Sequence, residues 1–149
     1  MEINERVFKA LGYAGLTPFV AATLMAWMGW QAADITAEFI FISYSAIILS
    51  FVAGTLWGRA LALYSGHVIA RLLVLSNVYS LLAWAALLMT LPLFALIALS
   101  LGFISVFRVE RKCLELPLND NYSNMRYQLT AIAVGLHLLM ILHLVFGGQ

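Results

Sequence analysis

Three polar residues inside long apolar stretches are the side chains most able to carry chemistry: His137, Asn77 and Ser50. An imidazole takes up and releases protons near neutral pH, and an ionisable group within an apolar segment is a candidate for function. Paired with Asn77, a serine or a tyrosine, His137 could relay protons or hold a quinone carbonyl. The alternative is a neutral, hydrogen-bonded histidine that only supports the fold, and we expect that structural role.

Asn77 shares one face of its apolar segment with Ser76, Ser80 and Trp84. An amide inside an apolar segment must find hydrogen-bond partners, so we predict that Asn77 joins two helices. Coordination of a substrate or an ion is the alternative. Tyr79 is off this face and is expected only to pack.

The other titratable residues do not form a recognisable catalytic or metal centre. His137 and His143 lie about 120° apart around a helix, so they cannot share one metal as an adjacent pair would, and no histidine of a second span can complete a haem site. The sequence has no paired buried carboxylates and no glycine-rich phosphate loop. Asp34 and Glu38 are acids at a helix start, or would receive a cation together with His143. We predict no catalytic residues, no metal and no cofactor, and an enzyme is the less favoured class.

Composition makes the bilayer the main solvent of this chain. Of its 149 residues, 64% are hydrophobic and 10% are charged, and the mean hydropathy is +0.97. Soluble domains have about 45–50% apolar and about 25% charged residues. A net charge of +1 offers no field for nucleic acid. The single Cys113 has no partner for a disulfide within the chain.

Five apolar segments are each close to the length of about 20 residues that crosses a membrane. They are residues 11–30, 39–56, 72–91, 93–107 and 129–146. The uncharged link Thr90-Leu91-Pro92 predicts a tight hairpin with Pro92 in the first turn of the fourth helix. We therefore predict an all-α fold, an integral membrane bundle of five transmembrane helices in one domain, residues 1–149.

The basic residues predict the orientation of this bundle. All eight fall on one side of the five-span topology: Arg6, Lys9, Arg59, Arg71, Arg108, Arg111, Lys112 and Arg126. Because such residues are retained in the cytoplasm, the N-terminus should be cytoplasmic and the C-terminus outside, in a bacterial inner membrane. The first span exceeds a signal-peptide core and contains Gly12, Gly15 and Pro18, so we predict a retained helix. Pro18 should bend it between Tyr13 and Pro18, with Thr17 and neighbouring spans satisfying the freed backbone groups.

The second span carries a face of small residues. Five of them cluster around the helix with Trp57 beside them: Ser43, Ala46, Ser50, Gly54 and Gly58. Small residues four apart let another helix approach closely, so we predict a contact within the chain that Gly54→Leu would force apart. A seam between copies of the chain, or a narrow polar pathway lined by Ser43 and Ser50, is the alternative.

Arg59 and Arg126 lie at the cytoplasmic ends of the second and fifth spans. Either could extend to lipid headgroups. A sharper interpretation has them brace these ends against Glu110, Glu115 or Asp120, or bind an anionic lipid headgroup.

Three groups of residues resemble the successive motifs of a known family. They are Leu11-Gly12-Tyr13-Ala14-Gly15-Leu16-Thr17-Pro18-Phe19; Tyr44-Ser45-Ala46-Ile47-Ile48-Leu49-Ser50-Phe51 with Gly54, Trp57 and Gly58; and Tyr122, Arg126, Leu129 and Thr130. They resemble the transmembrane protein 69-like family (domain of unknown function 3429), small bacterial and mitochondrial membrane proteins of unestablished activity. The resemblance covers nearly the whole chain, implies a five-span fold and one domain, supplies no catalytic residues, and favours Arg126 with Tyr122 for bracing or headgroup binding. Ala53-Gly54 departs from the family's frequent pair of glycines, which weakens the case for a very close backbone contact at Ala53.

On these grounds we expect a non-enzymatic accessory, assembly or scaffold component of a membrane complex, with the lipid bilayer, other membrane proteins or further copies of the chain as its partners. The alternatives are a small solute, ion or proton carrier that acts as an oligomer, and a lipid- or quinone-handling membrane protein. A continuous polar cavity reaching His137, Asn77 and Ser50 would favour the carrier. A closed core would favour the scaffold.

Overall fold

A computed structural model describes residues 2–32, 34–63, 67–113 and 120–147. The elements follow one another as α1 Glu2–Ala14, α2 Thr17–Trp27, β1 Gln31–Ala32, β2 Ile35–Thr36, α3 Ala37–Leu63, α4 His67–Leu87, α5 Pro92–Cys113 and α6 Asp120–Phe146. Within the described residues five helical spans are long and apolar enough to cross a membrane: Lys9–Trp27, Ala37–Ala62, His67–Leu87, Pro92–Lys112 and Tyr122–Phe146. The predicted all-α, five-span fold is confirmed.

The helix ends differ from those of the apolar segments: α3, α5 and α6 extend further into polar residues, whereas α2 and α4 end at Trp27 and Leu87, short of residues 30 and 91. α5 begins at Pro92, as predicted, but continues past residue 107 through the basic residues to Cys113. Arginine, lysine and glutamate are good helix formers, so the backbone ladder does not stop where hydropathy falls. The fourth span, the shortest in the sequence, is therefore a full helix.

The first span is broken between α1 and α2, at Gly15 and Leu16. Pro18 has no N–H, so the carbonyl four residues earlier, that of Ala14, loses its helical partner. The Thr17 hydroxyl donates to that carbonyl at 2.7 Å, and the hydroxyl of Tyr44 in α3 donates to the Gly15 carbonyl at 2.8 Å. The helix is interrupted where the bend was predicted, and the expected hydrogen bonds from Thr17 and from a neighbouring span are present.

α3 packs against α2, α4 and α5, whereas α6 packs against α5, α2 and α1. Six of the buried positions of α3 recur every three or four residues: Ile42, Ala46, Leu49, Ala53, Leu56 and Ala60. α4 comes close at Ala53, whose carbonyl accepts the Ser76 hydroxyl at 2.7 Å. Small alanine side chains at this seam allow the two backbones to approach.

The predicted small-residue face of α3 is only partly the face that packs. Ala46 is buried in the seam and Ser43 and Ser50 are half-buried, but Gly54 and Gly58 are exposed. Among the described residues, a Cβ atom added at either glycine would meet no atom within 4 Å. The predicted contact at these two glycines is therefore wrong for the single chain. Glycine and alanine are both small enough to allow a close approach, so residue size alone did not distinguish Gly54 from its neighbour Ala53. The seam runs through Ala53.

A short turn connects α2 to α3. β1 and β2 form a two-residue antiparallel pairing, Gln31 with Thr36 and Ala32 with Ile35. The Thr36 hydroxyl oxygen accepts the Phe39 N–H at 3.2 Å, which caps α3. Because α3 starts at Ala37, Glu38 lies in its first turn, whereas Asp34 lies in the turn before it and does not share the helical face.

Candidate functional site

A buried carboxylate joins three helices at one end of the bundle. Glu110 of α5 is 3% exposed, and its Oε1 accepts a hydrogen bond from Nη1 of Arg59 in α3 at 2.9 Å. Its Oε2 accepts Arg126 Nε and Nη2 of α6 at 3.0 and 2.7 Å. The Tyr122 hydroxyl donates to Oε1 at 3.1 Å. We call these four residues the arginine–glutamate cluster, and the end of the bundle where they lie the basic end.

Helix periodicity explains how α6 supplies two members of the cluster. Tyr122 and Arg126 are four residues apart and so lie one above the other on one face. The Arg59 guanidinium lies 4.9 Å from the centroid of the Tyr122 ring. A cation over an aromatic face is attracted by the ring's quadrupole. Tyr122 therefore contacts both charges of the Arg59–Glu110 pair.

The charges of the cluster do not cancel, because two guanidinium groups share one carboxylate. The side chains of Arg59 and Arg126 are 22% and 14% exposed, against 4% for Glu110. Of the acids considered as braces, Glu110 is the one that binds both arginines. Glu115 and the side chain of Asp120 lie outside the part of the chain that the structure describes.

His137 is enclosed in the middle of α6 with 0% exposure. Its Nδ1 lies 2.8 Å from the Ala133 carbonyl, which can only accept, so Nδ1 carries a proton. In the neutral ring Nε2 then accepts the hydroxyl of Ser45 in α3 at 2.7 Å. Both nitrogens of the imidazole are therefore occupied.

Aromatic rings surround the same imidazole. The ring centroids of Phe19, Phe41 and Phe103 lie 5.8, 4.8 and 5.5 Å from that of His137. They come from α2, α3 and α5, so three different helices enclose this part of α6. The position that the sequence marks as most able to titrate is closed off by hydrocarbon.

The three residues proposed as one polar site lie apart. The partner of His137 is Ser45, which is about 140° around α3 from Ser50. Asn77 is exposed on α4, and its Nδ2 donates at 2.9 Å to the Leu73 carbonyl of the same helix. The prediction that Asn77 joins two helices is wrong, because its amide is satisfied by the turn that precedes it.

The residues beside Asn77 make the interhelical bonds instead. Ser76 binds α3, and the hydroxyls of Tyr79 and Ser105 lie 2.6 Å apart and connect α4 to α5. Tyr79 thus does more than pack, because its ring is buried and its hydroxyl reaches a partner. Over the described residues, one buried side-chain oxygen lacks a hydrogen-bond partner, Ser43 Oγ.

At the opposite end of the bundle, α3 and α6 meet through a looser contact. His143 Nε2 lies 3.5 Å from Glu38 Oε1, and the His143 ring stands 5.5 Å from that of Trp27. In the described ranges, no three histidine, cysteine, aspartate or glutamate side chains group closely enough to hold a metal ion.

Two of the grooves between the helices lie at the basic end, and a smaller cavity of about 180 Å³ reaches Phe19 and Phe103, the rings beside His137. One of about 620 Å³ lies between α5 and α6, with Arg108, Arg111 and Lys112 at its rim. The other, of about 360 Å³, lies between α1, α3 and α6 and has Arg126 among its mainly apolar lining residues. Neither groove is lined by His137, Asn77 or Ser50.

Five membrane-spanning helices packed around an apolar core define the class of this molecule, a multi-pass integral membrane protein. The chain belongs to the family described as protein of unknown function (DUF3429), whose model matches residues 4–142. That match includes His137 and the whole arginine–glutamate cluster. No curated protein and no solved structure matches the chain.

Proposed function

We propose that the protein is a non-enzymatic accessory, assembly or scaffold component of a membrane complex in the bacterial cytoplasmic membrane. The observation that carries this proposal is the enclosure of His137. A carrier or a quinone-binding protein must bring its cargo to a polar group within the bilayer. Here the imidazole is fully buried, hydrogen-bonded at both nitrogens and walled by phenylalanine rings.

Several other polar contacts support the same function, because they fasten helices to one another. Ser76 holds α4 to α3, Tyr79 and Ser105 hold α4 to α5, and the arginine–glutamate cluster holds α3, α5 and α6 together. Hydrogen bonds between membrane helices are individually modest, about 0.6 kcal/mol on average, and several together fix a single arrangement. A fixed arrangement of helices presents a constant outer surface, which a scaffold requires.

Complementation separates this proposal from the carrier. In a strain that lacks the gene, His137→Gln should restore the wild-type phenotype, because glutamine can replace one of the two hydrogen bonds of the imidazole. His143→Gln at the opposite end is the matched control. The wild-type protein, extracted in a mild detergent, should bring down the same membrane proteins as either variant when the eluates are compared by mass spectrometry.

The opposite result would favour transport or quinone binding. A His137→Gln protein that is folded and as abundant as wild type, yet fails to restore the phenotype while His143→Gln succeeds, would overturn the scaffold. Wild-type protein that elutes without any specific partner would argue against an assembly function.

A further inference from the structure

The groove between α5 and α6 combines an apolar wall with a basic rim. Ile104 and Phe107 of α5 and Val134 of α6 line the wall, and Arg108, Arg111 and Lys112 line the rim. The wall residues lie inside the spans Pro92–Lys112 and Tyr122–Phe146, whereas the basic residues lie at the end of the first of these. The groove therefore runs from the depth of the acyl chains to the level of the headgroups.

The rim charges are not paired with an acid among the described residues. Arg59 and Arg126 are bound to Glu110, but within the described ranges Arg108, Arg111 and Lys112 have no carboxylate partner. All three side chains are exposed. Spaced three and four residues apart, they share one face of α5, where like charges repel unless an anion lies between them.

Local contacts hold part of this rim in place. The Arg111 guanidinium lies 5.9 Å from the centroid of the Phe107 ring, and that ring lies 6.2 Å from the ring of Tyr127 in α6. The contact between the Phe107 and Tyr127 rings connects α5 to α6 beside the basic residues. It keeps the guanidinium beside the groove.

We infer that this groove binds an anionic phospholipid, with the phosphodiester at the basic rim and an acyl chain along the wall. Charge complementarity selects the occupant, since basic pockets between membrane helices suit acidic lipid headgroups and arginine binds phosphate through paired N–H groups. The apolar wall distinguishes a lipid from an acidic soluble protein, because that wall lies at the depth of the hydrocarbon. The inference goes beyond the scaffold function and does not depend on it.

The test uses the full chain in detergent, titrated with phosphatidylglycerol or phosphatidylcholine and read by native mass spectrometry. Wild type should retain phosphatidylglycerol selectively. Each basic side chain near an anionic headgroup contributes about a fivefold factor, so the triple variant Arg108→Gln, Arg111→Gln, Lys112→Gln should lose affinity by on the order of 100-fold. A control triple removes as many charges from the same end outside the groove: Arg6→Gln, Lys9→Gln and Arg71→Gln. It should stay within about threefold, because charges that do not line the groove are largely screened from its ligand.

A second variant tests the wall without changing the charge. Ala131 is exposed in the groove, so Ala131→Trp should fill it and displace the lipid, whereas Ala131→Ser should not. Equal losses in the two triple variants, or full binding by Ala131→Trp, would overturn the site. If inorganic phosphate displaced bound phosphatidylglycerol as well as free phosphatidylglycerol does, the site would bind phosphate alone. That result would contradict binding of an acyl chain along the wall. Capture of an acidic protein in place of the lipid would also refute the proposal.

Discussion

Glu110→Gln removes one negative charge from between two guanidinium groups and leaves the shape of the side chain nearly unchanged. The amide oxygen can still accept one N–H, but the amide nitrogen then faces an arginine that also only donates. Loss of one partner of a buried ion pair costs about 3–5 kcal/mol. Arg59 and Arg126 are 22% and 14% exposed and can turn partly toward headgroups. We therefore expect the free energy of unfolding to fall by about 2–4 kcal/mol.

The assay is unfolding of the purified protein in mixed detergent, with helix content followed by circular dichroism. Glu38→Gln is the matched control, because its partner His143 is 3.5 Å away and both side chains are 19% exposed. At this length the contact is weak, and we expect the pair to be worth less than about 1 kcal/mol. Adding Arg126→Gln to Glu110→Gln removes one of the two unpaired cations and should restore part of the loss. If Glu110→Gln and Glu38→Gln unfold within about 0.5 kcal/mol of each other, the cluster does not fasten the helices.

The other predictions concern packing, the buried histidine and orientation. Gly102→Leu should lower the free energy of unfolding by about 1–3 kcal/mol, because its Cβ falls 2.6 Å from a buried leucine side chain, whereas Gly54→Leu, with open space around it, should be nearly silent in the same assay. His137→Leu should cost about 1–3 kcal/mol more than His137→Gln, since it leaves a buried hydroxyl without its partner, and equal losses would contradict that account. Alkaline phosphatase fused near Asp34 or at the C-terminus should be active, and fused after Lys112 inactive; an inactive C-terminal fusion would reverse the orientation.

The sequence could predict the features of this molecule that depend on position along the chain. The missing N–H of Pro18 identifies the carbonyl that needs a partner, and Thr17 is near enough to supply it. The number of spans and the hairpin at Pro92 likewise follow from hydropathy and from the geometry of proline. In each case the cause and the effect lie within one or two helical turns.

Features that depend on the rotation of a helix about its own axis were harder to predict. In a soluble helix, polar residues mark the outside, but here lipid and core are equally apolar and hydropathy does not separate them. The seam therefore lies at Ala53 rather than Gly54, and the serine that binds His137 is Ser45, on a different face of α3 from Ser50. Asn77 shows the same difficulty, since an amide that faces outward is satisfied by its own helix.

The break in the first span bears on how the chain enters the membrane. The Gly15 carbonyl, within that span, takes its hydrogen bond from Tyr44, which belongs to the next one. A backbone carbonyl without a partner in hydrocarbon costs several kcal/mol. During synthesis the first span reaches the bilayer before Tyr44 does, so by itself it is an incomplete transmembrane helix. The second span supplies the missing hydrogen bond, so a hairpin of two spans is the smallest unit in which this carbonyl has its partner.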